Sequence, residues 1–241
     1  IRDSRNILLR SLGISVLLAA ILIMLQTLIV SIAFLFIDTS TEVKTYASEY
    51  FHICIWGAPA VLGLYSFTGW FLGMQNSKYP MFIAITQNII NIAASLFFVK
   101  EMGMKIEGVA YGTLIAQYAG LLMAILLGLK YTQKYTWNIS PANVFNRKSM
   151  SVFFKVNRDI FFRTLCIVAV TVFFTSSGAA YGDTTLAVNT LLMQLFTIFS
   201  YIMDGFAYAG EALVGKHVGS RNNALLRQTI KHLIYLSLIH I

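Results

Sequence analysis

Asp204 and Glu211 stand seven residues apart in Met203-Asp204-Gly205-Phe206-Ala207-Tyr208-Ala209-Gly210-Glu211. On a helix that is about two turns, so both carboxylates share a face. Gly205, Ala207, Ala209, Gly210 and Ala212 surround them and leave room for another helix or a ligand. A carboxylate in so apolar a stretch is costly, and marks an ion pathway by default. The pair reads either as a cation or proton site facing water, or as a structural pair near the helix end, with Glu211 reaching Lys216. Asn88, Asn91 and Ser95 follow at spacings of three and four, with Gln87 beside them, and Thr113 and Gln117 are four apart further on. Such spacings put each set on one helix face. The two sets either line a common polar cavity or tie neighbouring helices together. Asp159 and Arg163, also four apart, fit an intrahelical ion pair at a membrane interface. Asn189 and Gln194 are the polar positions in the first half of another apolar run.

Other chemistries find no residues to carry them. The sequence has no P-loop, no HExxH and no GxSxG motif. His52, His217 and His232 are scattered without ligand spacing, and Cys54 and Cys166 sit inside apolar runs as small hydrophobes. Neither a metal site nor an enzyme is therefore expected.

The elements that must position these groups follow from composition. Of 241 residues 57% are hydrophobic and only 12% charged, with mean hydropathy +0.70. A soluble domain carries about 25% charged residues, so this chain cannot cover a water-facing surface but can supply loops between membrane spans. The net charge of +8 sits between apolar runs rather than on an aromatic-interleaved stripe, so nucleic acid is not an expected partner; a lipid bilayer is. Six segments are long enough to span: roughly 11–37, 46–74, 80–99, 108–129, 158–180 and 185–214, and a seventh begins near Asn222. In lipid they must be helices, since the backbone has to satisfy its own hydrogen bonds. The fold class is all-α integral membrane. Pro59, inside the second segment, is expected to kink it.

Arg2, Arg5, Arg10, Lys78, the cluster Lys130 to Arg158, and Lys216, Arg221 and Arg227 fall on alternate connections. The other connections hold Asp38, Glu42, Glu101, Glu107 and Asp183 with few lysines. By the positive-inside rule the first set is cytoplasmic. The long connection 131–157, with Pro141 and several asparagines, reads as a cytoplasmic linker between partial bundles at 1–130 and 158–235. Ser4 to Arg10 weakly repeats in Ser220 to Arg227. The last six residues, 236–241, back-translate to CTG TCT CTT ATA CAC ATC, which resembles the end of a transposase adapter. A non-native tail is the expectation there.

Several stretches together resemble the multidrug and toxic compound extrusion (MATE) transporters. Trp56-Gly57-Ala58-Pro59-Ala60 with Gly69-Trp70-Phe71-Leu72-Gly73-Met74-Gln75 and Pro80 is similar to their fourth helix and its turn. Asn88-Ile89-Ile90-Asn91-Ile92 resembles the fifth and Gly108 to Tyr118 the sixth. Asn157 to Leu165 and Asp204 to Gly215 resemble helices seven and eight of the branch named for DNA-damage-inducible protein F. The resemblance implies a two-lobed, twelve-helix fold of which this chain holds helices three to eight and the start of nine. It implies export of amphipathic, often cationic compounds across a bacterial-type inner membrane, coupled to H+ or Na+, by a protein that acts as a monomer at full length. A fragment alone is expected to be inactive. In the family's fifth helix an asparagine is followed four residues later by a coupling aspartate. Asn91 fits the asparagine, but Ser95 stands in the aspartate's place. His52 and Cys54 also fall where that branch often has arginine. A lipid-linked sugar flippase, or a membrane sensor or scaffold without enzymatic activity, are the alternative readings.

Overall fold

Between Gly13 and Gly57 the sequence has neither glycine nor proline, and it starts as one long helical run. The computed structural model describes residues 2–36, 41–132, 146–180 and 183–239. Helix α1 (Arg2–Met24) is followed after one residue by α2 (Gln26–Phe36). The amides of Leu25 and Ile29 bond the carbonyls of Ile21 and Leu25 at 2.9 Å, so helical bonds flank the interruption on both sides. The span was expected to begin at residue 11; the helix starts nine residues earlier, because nothing in Arg2 to Arg10 opposes it.

The second expected span is divided. Helix α3 (Thr41–Cys54) passes through a one-turn 3-10 segment, Ile55–Gly57, into α4 (Ala58–Gly73). Pro59 sits in the first turn of α4, where its missing N–H costs least, and the Ala58 amide bonds back to the Ile55 carbonyl in the tighter register. Helix α5 (Lys78–Leu96) ends in a π-type turn, Phe97–Glu101, before α6 (Ile106–Thr132).

Of the expected linker 131–157, residues 133–145 lie outside the described residues. Helix α7 (Arg147–Ala180) starts ten residues before 157 and runs unbroken through the next span. No proline or glycine lies between Pro141 and Gly178, and extending an existing helix is far cheaper than starting one. Helices α8 (Asp183–Gly219) and α9 (Asn223–Ile239) complete the described chain. Among the described residues five stretches are long and apolar enough to cross a bilayer: Ser4–Met24, Lys44–Gly73, Lys78–Glu101, Ile106–Thr132 and Leu191–Gly219. The expected span 158–180 is not among the five. It is helical throughout within α7, and several of its side chains lie outside the described residues.

The chain divides into two compact units, Ile1–Ser140 and Pro141–Ile241. In the first, α5 lies along α6, α1 packs on α4, and α3 and α4 both lean on α6. Its core is aromatic. Phe71 is wholly buried; its ring centroid lies 5.2 Å from those of Trp70 and Tyr79, and Tyr131 stands edge-on to Trp70 at 5.7 Å. Edge-on and tilted rings add about 0.5–1.5 kcal/mol per pair to their area burial. Trp70 donates its indole N–H to the Ser4 carbonyl at 3.1 Å, which fastens α1 to this end. Higher up, the Ser66 hydroxyl meets those of Ser11 at 2.8 Å and Ser15 at 3.0 Å, a small polar clasp between α1 and α4. In the second unit α8 packs against both α7 and α9.

Candidate functional site

Helix α6 explains how its neighbours come so close. Gly108, Gly112, Ala116, Gly120, Ala124 and Gly128 recur every fourth residue, and all are buried. Small residues at that spacing let helix backbones meet. A four-residue step overshoots the helical period by roughly 40°, so the stripe winds around α6. Along it the neighbour changes. A Cβ on Gly112 would stand 2.7 Å from the Ser95 amide of α5, and one on Gly120 3.2 Å from Gln87 Oε1. On Gly128 it would meet Phe67 of α4 at 2.9 Å.

Where α5 and α3 each pack on α6, a half-buried polar seam runs along α6. Asn91 donates through Nδ2 to Thr113 Oγ1 at 3.1 Å, and Thr113 donates to the Val109 carbonyl at 2.9 Å. A hydroxyl has one hydrogen and two lone pairs. Thr113 Oγ1 keeps one lone pair, and Tyr50 of α3 lies near both Thr113 and Cys54. One turn along, the Gln117 amide lies against Gly57, with its oxygen where a Cβ of residue 57 would stand. Gln117 Oε1 and Ser95 Oγ are buried atoms with no hydrogen-bond partner among the described residues. Such groups cost free energy unless something answers them. The seam therefore presents acceptor oxygens amid apolar helices, the chemistry that suits a proton-bearing group or a small cation. Beside Tyr50 on α3, Glu49 lies near Glu107 in the first turn of α6.

The expected face of α5 is brought together in part. Asn91 and Ser95 join Thr113 and Gln117 at the seam. Asn88 does not: it is exposed, and its Nδ2 turns back to the Ala84 carbonyl at 2.8 Å. The ion pair expected between Asp159 and Arg163 is also different. Asp159 pairs with its neighbour Arg158 at 3.2 Å, both being exposed, and no bridge to Arg163 forms among the described residues. In the second unit Asn189 packs on α7, its Nδ2 2.7 Å from where a Cβ of Gly178 would lie, while Gln194 is exposed. Asp204 and Glu211 are both exposed on α8 and pair with no cation among the described residues; the expected bond from Glu211 to Lys216 is not made. No group of His, Cys, Asp or Glu among the described residues is arranged to hold a metal ion.

Tyr50 and Tyr118 were not singled out, and Gln87 was placed beside the polar face of α5 without a partner. The four-residue stripe of small residues on α6 was the available signal for Gln87, since it fixes which α5 positions touch α6. Tyr50 and Tyr118 act between helices distant in sequence, and nothing local marks them.

A sequence model of the family described as MatE matches residues 1–97 and 160–240. DNA damage-inducible protein F of Escherichia coli strain K12 is 34% identical over 223 residues, covering 91% of this chain and 47% of that protein. Protein DETOXIFICATION 43 of Arabidopsis thaliana is 28% identical over 168 residues, 70% of this chain and 31% of that protein. Protein DETOXIFICATION 42 of the same plant is 24% identical over 213 residues, 86% of this chain and 39% of its own length. The chain thus spans less than half the length of these curated relatives.

Proposed function

The chain belongs to the MatE family, and on that premise we propose that it is the middle of a cation-coupled antiporter. The whole protein would export amphipathic, often cationic compounds across a bacterial-type inner membrane by alternating access, drawing on an inward gradient of H+ or Na+ and acting as a monomer. The observation that carries this reading is the seam of α3, α5 and α6. Asn91 and Thr113 are fixed by their hydrogen bonds, while Ser95 and Gln117 hold buried oxygens open. Oxygens so placed take up a cation or protonated group and release it when the helices part. Ser95 brings no charge, so the carboxylates of the coupling cycle are sought elsewhere, with Asp204 of α8 as the candidate in this chain.

The test is efflux of a fluorescent cationic dye from cells making the full-length protein. Asn91→Ala and Asp204→Asn are each expected to slow energised efflux by about tenfold or more at matched expression, the order that one lost site interaction of about 1.4 kcal/mol produces. Wild-type efflux by Asn91→Ala removes the seam from the coupling pathway; wild-type efflux by Asp204→Asn does the same for α8.

A further inference from the structure

We propose that α3 is a hinged cover over the polar seam, pivoting at Ile55–Gly57, and that Tyr118 is the positioning residue that holds it closed. The argument starts at Pro59. Without an N–H it cannot bond the Ile55 carbonyl in the usual helical register, and that carbonyl takes the Ala58 amide instead. Trp56 lies inside the same tight turn, and its carbonyl accepts the Tyr118 hydroxyl of α6 at 2.8 Å, a contact between residues 62 apart in sequence. In a bilayer no water replaces such a partner, so the bond across to α6 sustains the break. Gly57 is buried at this point, and the Gln117 side chain occupies the space a larger residue would need. The adjacent pair Gln117 and Tyr118 therefore grips the break from α6.

The two arms of the broken span are anchored unequally. Below the break, α4 buries Ala60, Gly63, Leu64, Phe67, Trp70 and Phe71. Above it, no described residue of α3 is buried. An arm with few buried contacts opens at low free-energy cost while the other stays put. The loosely held arm is the one that leans on α6 beside the seam and brings Tyr50 near Thr113. When it swings out, the seam meets water; when Tyr118 holds the break, the seam is covered.

The proposal rests on the alternating-access reading, but its test needs neither substrate nor gradient. With Cys166→Ser, Cys54 is the only cysteine of these 241 residues; any others in the full-length protein are replaced too. A charged methanethiosulfonate reagent in open membrane fragments then reports how often water reaches it. Tyr118→Phe is expected to speed modification of Cys54 roughly three- to tenfold, the span of one lost interhelical hydrogen bond. Pro59→Ala, which restores the amide and lets the helix close, is expected to slow modification below the parent rate and to abolish the response to Tyr118→Phe. Unchanged rates in either variant overturn the proposal. So does a reference thiol at Ala124→Cys, in the core, that becomes reactive together with Cys54, since that is general unfolding. Altered labelling in a protein that exports nothing would sink the exporter reading alone.

Discussion

Of the described glycines, Gly112 makes the closest approach to another helix's backbone. A Cβ there would stand 2.7 Å from the Ser95 nitrogen and 2.9 Å from its Cα, and backbone atoms cannot step aside as a side-chain tip can. Gly112→Ala is therefore expected to cost about 1–3 kcal/mol, read as a lower unfolding temperature in detergent. Gly69→Ala, on an open face of α4 with nothing within 4 Å, is expected to leave that temperature unchanged or raise it slightly. Equal effects at the two positions would mean that α5 and α6 are not in such contact. At this scale the sequence was half legible. Spacing put Asn91 and Ser95 on one stripe and Thr113 and Gln117 on another, and the Asn91–Thr113 bond joins the two. It could not say that Asn88 would satisfy itself on its own backbone, nor that Asp159 would take the nearer arginine, because exposed polar groups choose among partners of similar worth. Tyr50 was invisible for a different reason: it joins the site from a third helix.

Helices themselves were the most legible feature, since apolar length sets them directly. Their breaks were legible only where a residue forces one. Pro59 announced the division of the second span. Leu25, between α1 and α2, has no proline or glycine beside it, and the sequence offers no cause for the interruption. Helix α7 starts at Arg147, ahead of the expected span at 158, since no proline or glycine interrupts 147–177. Two joints between helices, α4–α5 and α8–α9, follow a common plan. Asn76 and Gln75 bond back to Phe71 and Leu72, and Asn222 and Arg221 bond back to His217 and Val218. In each, the residue before the asparagine has positive φ, 62° at Gln75 and 54° at Arg221. The asparagine side chain then accepts an amide of the next helix, Tyr79 or Leu225. Side chains resist this left-handed conformation, and glycine does not. Gln75→Gly is expected to raise stability by up to about 1 kcal/mol, visible as a higher unfolding temperature; a fall would show that the side chain earns its place there.

For the whole molecule, the alternation of basic and acidic connections predicts sidedness. In the full-length protein, Met102→Cys is expected to react with an impermeant thiol reagent added outside intact cells. Ser77→Cys and Ser220→Cys are expected to react only after the membrane is opened. Reaction of Ser77 and Ser220 from opposite sides would mean a wrong number of spans between them. Family membership was legible from motifs in order along the chain, and the match over residues 1–97 and 160–240 agrees with it. Substrate choice was not legible: none of the spacings names a compound, and the chain covers 47% of its Escherichia coli relative.

The two matching joints have a consequence for how the chain is made. Each is closed by bonds between residues at most five apart, so α4 with α5, and α8 with α9, can pair as soon as the second helix has emerged from the ribosome. The serine clasp between α1 and α4 spans 47 to 55 residues and must wait until α4 is complete. Synthesis would therefore deliver prefolded hairpins to the membrane, leaving the first helix to find its place on a partner that is already built.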